Sequence, residues 1–452
     1  MWGSKWLAAV GITAAAIGVG FSASVQAQST GGGVLTTTSE LESLRAEQSD
    51  LFEQMLAAPD DLDLMFEYAQ LSIRLQDFEA AISTLERMLI YRQDLPRVRL
   101  ELGVAYFNLG SYAAAQLYFE QVLEDPETPD IVRARVGRFM EEIANRTRPH
   151  NYRLIATAGL THATNATLGP DGNRVLFQGN LATLIAGQQE ADSGVRVTLD
   201  LRHTYDLGQE DADTWRTEVG FYGVRYFDTD DGDVGFVRVR TGPRLSLDEQ
   251  AFGPKLRPYT ELQYLTSENR GLFFGGGVGL EYLDTLSPVL SVYGDVGLIY
   301  RNYFRQEFSD EDSVSTYAAA GLAYLPVRNF ILRSTLITSY DDADGDENSN
   351  IEFGLRVSGE YKYDVGLSQI DGLWTASAFA EVRGRMFNEP DPLVDPNSRR
   401  NDVDFRAGVR HIFSIQQGFG VQIDVDGLVR RSNIRNFDLE NISGTISLRY
   451  EL

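Results

Sequence analysis

Residues 350–363 read NIEFGLRVSGEYKY, and their alternation decides the fold of most of this chain. Ile351, Phe353, Leu355, Val357, Tyr361 and Tyr363 fall on one parity; Glu352, Arg356, Ser358, Glu360 and Lys362 fall on the other. A period of two is the signature of a β-strand whose faces meet different media. VRVTLDLRHTY at 195–205 repeats it, with Val195, Val197, Leu199 and Leu201 opposed to Arg196, Thr198, Asp200 and Arg202. So does VQIDVDGLV at 421–429, with Val421, Ile423 and Val425 against Gln422, Asp424 and Asp426.

Fourteen or fifteen such runs lie between Tyr152 and Leu452, separated by clusters of Gly, Asp, Asn, Ser and Pro. A soluble sandwich uses fewer, shorter strands. Here Arg alternates with Asp or Glu in mid-strand on the polar parity. Aromatics gather near strand ends at Tyr205, Tyr226, Phe227, Tyr264, Tyr282, Tyr300, Tyr303, Phe304, Tyr324 and Tyr340. A transmembrane barrel predicts both features: lipid outside, a polar lumen, and aromatic girdles at the interfaces. The mean hydropathy of −0.22 fits a wall in which only alternate residues meet lipid. Unpaired backbone groups in hydrocarbon cost several kcal/mol each, so the sheet must close. Both chain ends fall on one side of the membrane only with an even number of strands, and fourteen is the expected count. ISGTISLRYEL, ending at Leu452, reads as the closing strand.

Upstream, apolar residues recur at helical spacing and repeat with a period of 34. Tyr68-Ala69 matches Leu102-Gly103, Phe78 matches Tyr112, Ala81 matches Ala115, Leu85 matches Phe119, and a partial third copy follows at Val136-Gly137. LELGVAYFNLGSYAAAQLYFEQVLEDP at 100–126 resembles the tetratricopeptide pattern at Leu102, Gly103, Tyr106, Gly110, Tyr112, Ala115 and Phe119. Small residues at Gly103 and Ala115 let paired helices approach, and the aromatics fill the space between repeats. Two repeats with helical caps are expected, offering a concave face to a peptide or protein.

The first residues combine Lys5, an apolar stretch from Leu7 to Phe21, and Val25-Gln26-Ala27, which reads as a secretory signal cleaved after Ala27. That stretch is too short to span a bilayer, and no later segment reaches the roughly 20 apolar residues a spanning helix needs. The expected organisation is a signal peptide at 1–27, a flexible segment at 28–39, a periplasmic tetratricopeptide domain at 40–148 and an outer-membrane barrel at 149–452. The absence of cysteine rules out disulfides, thiolate metal sites, a catalytic thiol and a lipoprotein anchor. A net charge of −25 argues against nucleic acid as partner. The acidity collects in DTDDGD (228–233), SDEDS (309–313) and DDADGDEN (341–348), which read as solvated turns.

No catalytic, cofactor or metal site is read. His150, His162, His203 and His411 form no ligand motif. DDADGDENSN, starting from Asp342, places its glycine at position four of a calcium-type loop instead of six, and Phe353 where the loop needs Glu. GLFFGGGVGLEY lies within a strand pattern with no helix following, so its glycines are assigned to crowding or curvature. Arg196, Arg238, Arg240, Arg356, Arg383, Arg385 and Arg410 are expected in the lumen, either lining a conduction path or, the favoured reading, paired with carboxylates across strands.

The order of signal, tetratricopeptide repeats and barrel resembles the surface lipoprotein assembly modulator family. That resemblance implies a fourteen-stranded barrel and assistance to proteins, notably lipoproteins, crossing the outer membrane, with a protein or peptide held by the repeats and other periplasmic assembly factors as further partners. The alternatives are an exopolysaccharide export barrel and a general diffusion porin with a helical docking domain.

Overall fold

The computed structural model describes residues 38–452 apart from 127, 185–188, 209–212, 249–252, 288 and 367–371. The expected signal segment 1–27 lies outside them. The chain divides into two units after Arg148.

The helical unit holds α1 (Thr38–Ala57), α2 (Leu62–Arg74), α3 (Phe78–Tyr91), α4 (Pro96–Leu109), α5 (Tyr112–Glu124) and α6 (Asp130–Arg146). Helices α2, α4 and α6 start 34 residues apart, as do α3 and α5, so the sequence period is the period of the helical hairpin. Helix starts and stops follow local chemistry. The Asp61 carboxylate accepts from the backbone N–H of Asp63 and Leu64, and Asp77 accepts from that of Ala80, satisfying orphan donors of α2 and α3. Pro96 opens α4, and Gly110, at φ 86°, closes it in the left-handed conformation. Leu51, Met65, Leu85 and Leu102 form one core, and Val104, Phe119 and Val136 a second. A Cβ on Gly103 would lie 2.5 Å from the Phe119 ring, which is why a small residue is needed there. Arg133 of α6 donates to the carbonyls of Leu123, Asp125 and Thr128, pinning α6 to the end of α5.

The second unit is a closed antiparallel barrel of fourteen strands. These are β1 (His150–Ala163), β4 (Asp192–Asp206), β5 (Thr214–Tyr226), β6 (Val234–Ser246), β7 (Lys255–Ser267), β8 (Arg270–Ser287), β9 (Leu290–Tyr303), β10 (Ser313–Val327), β11 (Phe330–Ala343), β12 (Asn350–Tyr363), β13 (Trp374–Pro390), β14 (Arg399–Gln416), β15 (Phe419–Ser432) and β16 (Leu439–Glu451). Two further short strands, β2 (Arg174–Phe177) and β3 (Asn180–Thr183), pair only with each other. They account for the ambiguity between fourteen and fifteen runs. Sequential strands are neighbours throughout, and β16 closes on β1 with Thr157 opposite Arg449 and Leu160 opposite Ile446.

The register puts all three quoted strands in the expected phase: Glu352 faces Arg385, Asp200 faces Gly220, and Asp424 faces Thr445, on one wall surface. That surface is the lumen. Arg240 on β6 donates to Asp295 on β9 at 2.9 Å and to Tyr317 on β10 at 2.9 Å. Arg196 on β4 reaches Asp424 on β15 at 2.8 Å. Strands three places apart are separated by roughly 14 Å along the wall, so such pairs can meet only across the concave side.

Candidate functional site: the lumen, its loops and the repeat face

Burial in the barrel is inverted relative to a soluble protein. Arg257 and Arg430 are 1% exposed, whereas Leu336 is 62% and Leu448 72% exposed on the outer wall. Val278, Phe405, Val409 and Ile446 are also exposed there. An apolar sleeve this continuous exceeds the few hundred Å² that soluble monomers leave open. Covering each such side chain is worth about 1.5–3 kcal/mol, and lipid is the medium that does so along a whole barrel.

Aromatic rings band this sleeve at both ends. Near the chain termini, His150, Tyr152, His203 and Tyr205 stack on one another, and Tyr363, Trp374, His411 and Phe413 form a second group in which the Tyr363 hydroxyl lies 2.7 Å from His411. Tyr264, Tyr300 and Tyr340 are exposed towards the opposite end. All four histidines have the outward parity, and His162 bonds Ser193 there. Two expected girdle residues are corrected. Tyr226 and Tyr303 share the lumen parity, Tyr226 opposite Gly194 and Tyr303 opposite Phe273. Tyr303 packs instead on an inner apolar cluster.

The lumen is lined by cross-strand ion pairs. Glu352 takes Arg383 at 3.1 Å and Arg385 at 2.6 Å, Arg356 reaches Glu381 at 3.1 Å, and Arg430 is held by both oxygens of Asp404. Asp424 is shared by Arg196 and Arg410. Arg240 also pairs with Glu261. Of the expected lumen cations, Arg196, Arg240, Arg356, Arg383, Arg385 and Arg410 are therefore paired, and Arg238 stands opposite Gln263 in the register. Pairing is what a low-dielectric wall demands, since a lone buried charge is far costlier than a compensated one. Arg202, Arg257, Arg301, Arg400, Arg406 and Arg430 belong to the same system, although the sequence reading did not single them out. Their signal was there: in RPYTELQ, Arg257, Tyr259, Glu261 and Gln263 alternate against Pro258, Thr260 and Leu262.

The glycines of GLFFGGGVGLEY split by parity. Gly275, Gly277 and Gly279 face the lumen, and a Cβ on Gly279 would collide with the Tyr259 ring. That space lets the Tyr259 hydroxyl donate to Asp295 at 2.5 Å and bond Tyr317.

The barrel end away from the chain termini is covered from two opposite walls. On one side, the segment 164–184 carries the β2–β3 hairpin onto loops 391–398 and 433–438. Gln178 and Gly179 donate to the carbonyls of Leu393 and Val394, and Asn436 bonds the backbone of Leu176 in both directions. Val175, Leu184, Ile434 and Phe437 make a dry cluster beneath. Phe437 in turn covers Arg400, whose guanidinium lies between the rings of Phe437 and Phe387. Arg400 has the lumen parity, so this covering faces inward. On the other side, the 3₁₀ turn Gln306–Glu311 buries Phe308 against Phe236, Leu265 and Phe273, which line the inner wall. Loop 344–349 ties this turn down through Asp310 and Asp312. The connections at the termini end include the tight turns 328–329 and 417–418.

In the helical unit, Glu67, Glu101 and Arg135 occupy equivalent positions on α2, α4 and α6. Glu101 lies within Coulombic reach of both Arg97 and Arg135, but burial dominates and holds its carboxyl above the usual value. Arg97 lies 4.6 Å from the centre of the Phe66 ring. Tyr106, stacked on Tyr118, donates to Glu86 at 2.6 Å, and that bond pushes its pKa up to about 12. These helices thus combine aromatic side chains with charges of both signs.

Fold and wall define the class: a fourteen-stranded barrel of outer-membrane type preceded by tetratricopeptide helices. The tetratricopeptide repeat family model matches residues 96–124. Among solved structures the chain is similar to an anion-selective porin from Comamonas acidovorans, at 9% identity over 67% of this chain and 99% of that one, with a TM-score of 0.35. It is similar to a bacterial polysaccharide outer membrane secretin at 8% identity over 66% and 98%, with a TM-score of 0.35. It is also similar to the first tetratricopeptide domain of Spaghetti (RPAP3) bound to an HSP90 peptide, at 19% identity over 25% and 99%, with a TM-score of 0.19. No curated protein matches the chain.

Proposed function

We propose that this protein assists protein substrates, of the surface lipoprotein type, across or into the outer membrane, with the repeat domain in the periplasm capturing the substrate and the barrel providing the route. The observation that carries this reading is the union in one chain of tetratricopeptide helices, a fold suited to holding a peptide or protein, and a barrel with an apolar outer wall whose far mouth is covered by inward-packed loops. A general diffusion porin has no use for the first and is hindered by the second. The termini-side connections include two-residue turns at 328–329 and 417–418, while the connection between β1 and β4 at the opposite end runs from 164 to 191, and this supports a periplasmic position for the chain ends. An exopolysaccharide conduit is less well supported, because the lumen is dominated by Arg–carboxylate pairs instead of rings of aromatics and acids.

The test is substrate capture together with conductance. Full-length protein purified from its native membrane is expected to carry a secreted protein, lost on deleting residues 40–146, and to show no stable open pore in planar bilayers. A steady ohmic conductance, with no protein substrate retained by the full chain, would sink the proposal.

A further inference from the structure

At the barrel end away from the chain termini, where β1 stops and β4 starts, a serine and a histidine meet on the outer wall. His162 and Ser193 are register partners of outward parity, both exposed, and the Ser193 hydroxyl lies 3.0 Å from His162 Nδ1. The other histidines are packed among rings: His150 and His203 against each other and Tyr205, His411 against Trp374 and Phe413. His162 meets a hydroxyl instead. In the tautomer protonated at Nε2, its Nδ1 accepts from Ser193, which is the arrangement of a nucleophile beside its general base.

The surroundings hold this pair in place and leave room beside it. Asp192, one residue before the serine, accepts from the backbone N–H of Ser193, Asp228 and Thr229, fixing the start of β4 against the turn that follows β5. Gly444 of β16 stands opposite His162 on its other flank, and a Cβ there would meet nothing within 4 Å, so the space next to the imidazole is open. On the serine side, β5 places Arg225 opposite Val195, which makes it a diagonal neighbour of Ser193 within reach of a long side chain. The Arg225 side chain is 74% exposed, and Asp233, its ion-pair partner at 3.8 Å, already accepts from the Tyr226 N–H and from Asn269. One outward row deeper lie Leu160 and Val195, 65% and 40% exposed. The pair therefore marks the level at which hydrocarbon gives way to the polar interface, where the ester bonds of a membrane lipid lie.

We propose that Ser193, His162 and Arg225 form a lipid-facing catalytic site that cleaves an acyl ester of a membrane lipid. The Ser193 oxygen attacks the ester carbonyl carbon as its proton passes to His162 Nδ1, and the Arg225 guanidinium donates to the oxyanion that develops. The bond from that carbon to the alcohol oxygen breaks, the alcohol oxygen takes the proton from His162, and the acyl group stays on Ser193. Water from the interface then attacks the acyl carbon while giving a proton to His162. A fatty acid leaves, and Ser193 recovers its proton from His162. The inference rests on the outer wall meeting lipid and not on what crosses the lumen. A barrel that cleaves lipid esters and retains no protein substrate would refute the export reading and leave this one standing.

The test has two readouts on the full chain in vesicles of phosphatidylethanolamine and phosphatidylglycerol: labelling by an alkyl fluorophosphonate, a probe for activated serines, and release of fatty acid. The wild type is expected to be labelled on Ser193 and to release fatty acid, and Ser193→Ala to lose both. His162→Gln is expected to slow both about 10²- to 10⁴-fold, the contribution of a general base. Arg225→Gln is expected to slow release about 10²- to 10³-fold, the scale of a lost oxyanion donor. Ser358→Ala, which alters a lumen serine of β12, is expected to change neither. All three site residues are exposed, so their variants keep the barrel fold, which heat-dependent gel mobility checks. An unlabelled wild type, labelling or release that survives Ser193→Ala, labelling without release, or release undiminished in Arg225→Gln would overturn the proposal.

Discussion

Replacing Val357 by Arg tests directly which medium bathes the outer wall. Val357 lies midway along the outward row of β12, six residues from Ile351 and six from Tyr363. At roughly 3.3 Å per residue and a strand tilt of about 40°, each end is about 15 Å away along the membrane normal, the half-thickness of a hydrocarbon core. Its register neighbours are Ser334 and Ala380, which share its outward parity and offer no carboxylate. An arginine there has neither a partner nor water. The expected cost is about 2–4 kcal/mol, against about 0–1 for the same substitution at Tyr363, because the penalty depends on depth. In equilibrium terms the mid-strand variant unfolds about 30- to 900-fold more readily. Urea unfolding of the protein refolded into lipid vesicles reads this, with Trp215 and Trp374, near the strand ends, as reporters. Equal costs at the two positions, or a neutral Val357→Arg, would mean that the outer face sits in water or against protein, and the membrane reading would fail.

Glu352→Gln leaves Arg383 and Arg385 sharing no carboxylate with β12 and is expected to cost about 3–5 kcal/mol in the same assay, while a loss under about 1 kcal/mol would show that lumen water already screens the pair. Gly279→Ala drives a methyl into the Tyr259 ring and should cost about 1–3 kcal/mol; combined with Tyr259→Ala, the two losses are expected to be clearly less than additive. Tyr106 binds its proton more tightly folded than unfolded, so its bond to Glu86 contributes stability below pH 10 that is lost as pH rises towards 12. Alkaline unfolding followed by circular dichroism should show this loss in the wild type and not in Tyr106→Phe. Cysteines at Gln178 and Leu393, in a chain with no native cysteine, are expected to cross-link and to block substrate passage until reduced; passage through the cross-linked form would show that the hairpin need not move.

The parts of this protein legible in its sequence are those written as short periods. Alternation along β12 fixes which of its side chains meet lipid, and the repeat of 34 fixes where α2, α4 and α6 begin, because each depends on residues a few places apart. Parity near strand ends is harder. Tyr226 and Tyr303 sit at the last positions of β5 and β9, where an aromatic ring suits a girdle or an inner cluster equally, and only the register with Gly194 and Phe273 separates the two. The covering loops carry no period at all. Val175 meets Ile434 and Phe437 across some 260 residues, and the hairpin that brings it there looks in sequence like one more strand of the wall. The pairing of lumen charges is hidden for a related reason. Arg240 alternates no differently from its neighbours on β6, and nothing along that strand announces that its partner is Asp295, three strands away. Alternation assigns a residue to the lumen; only closure of the barrel decides whether its charge is answered.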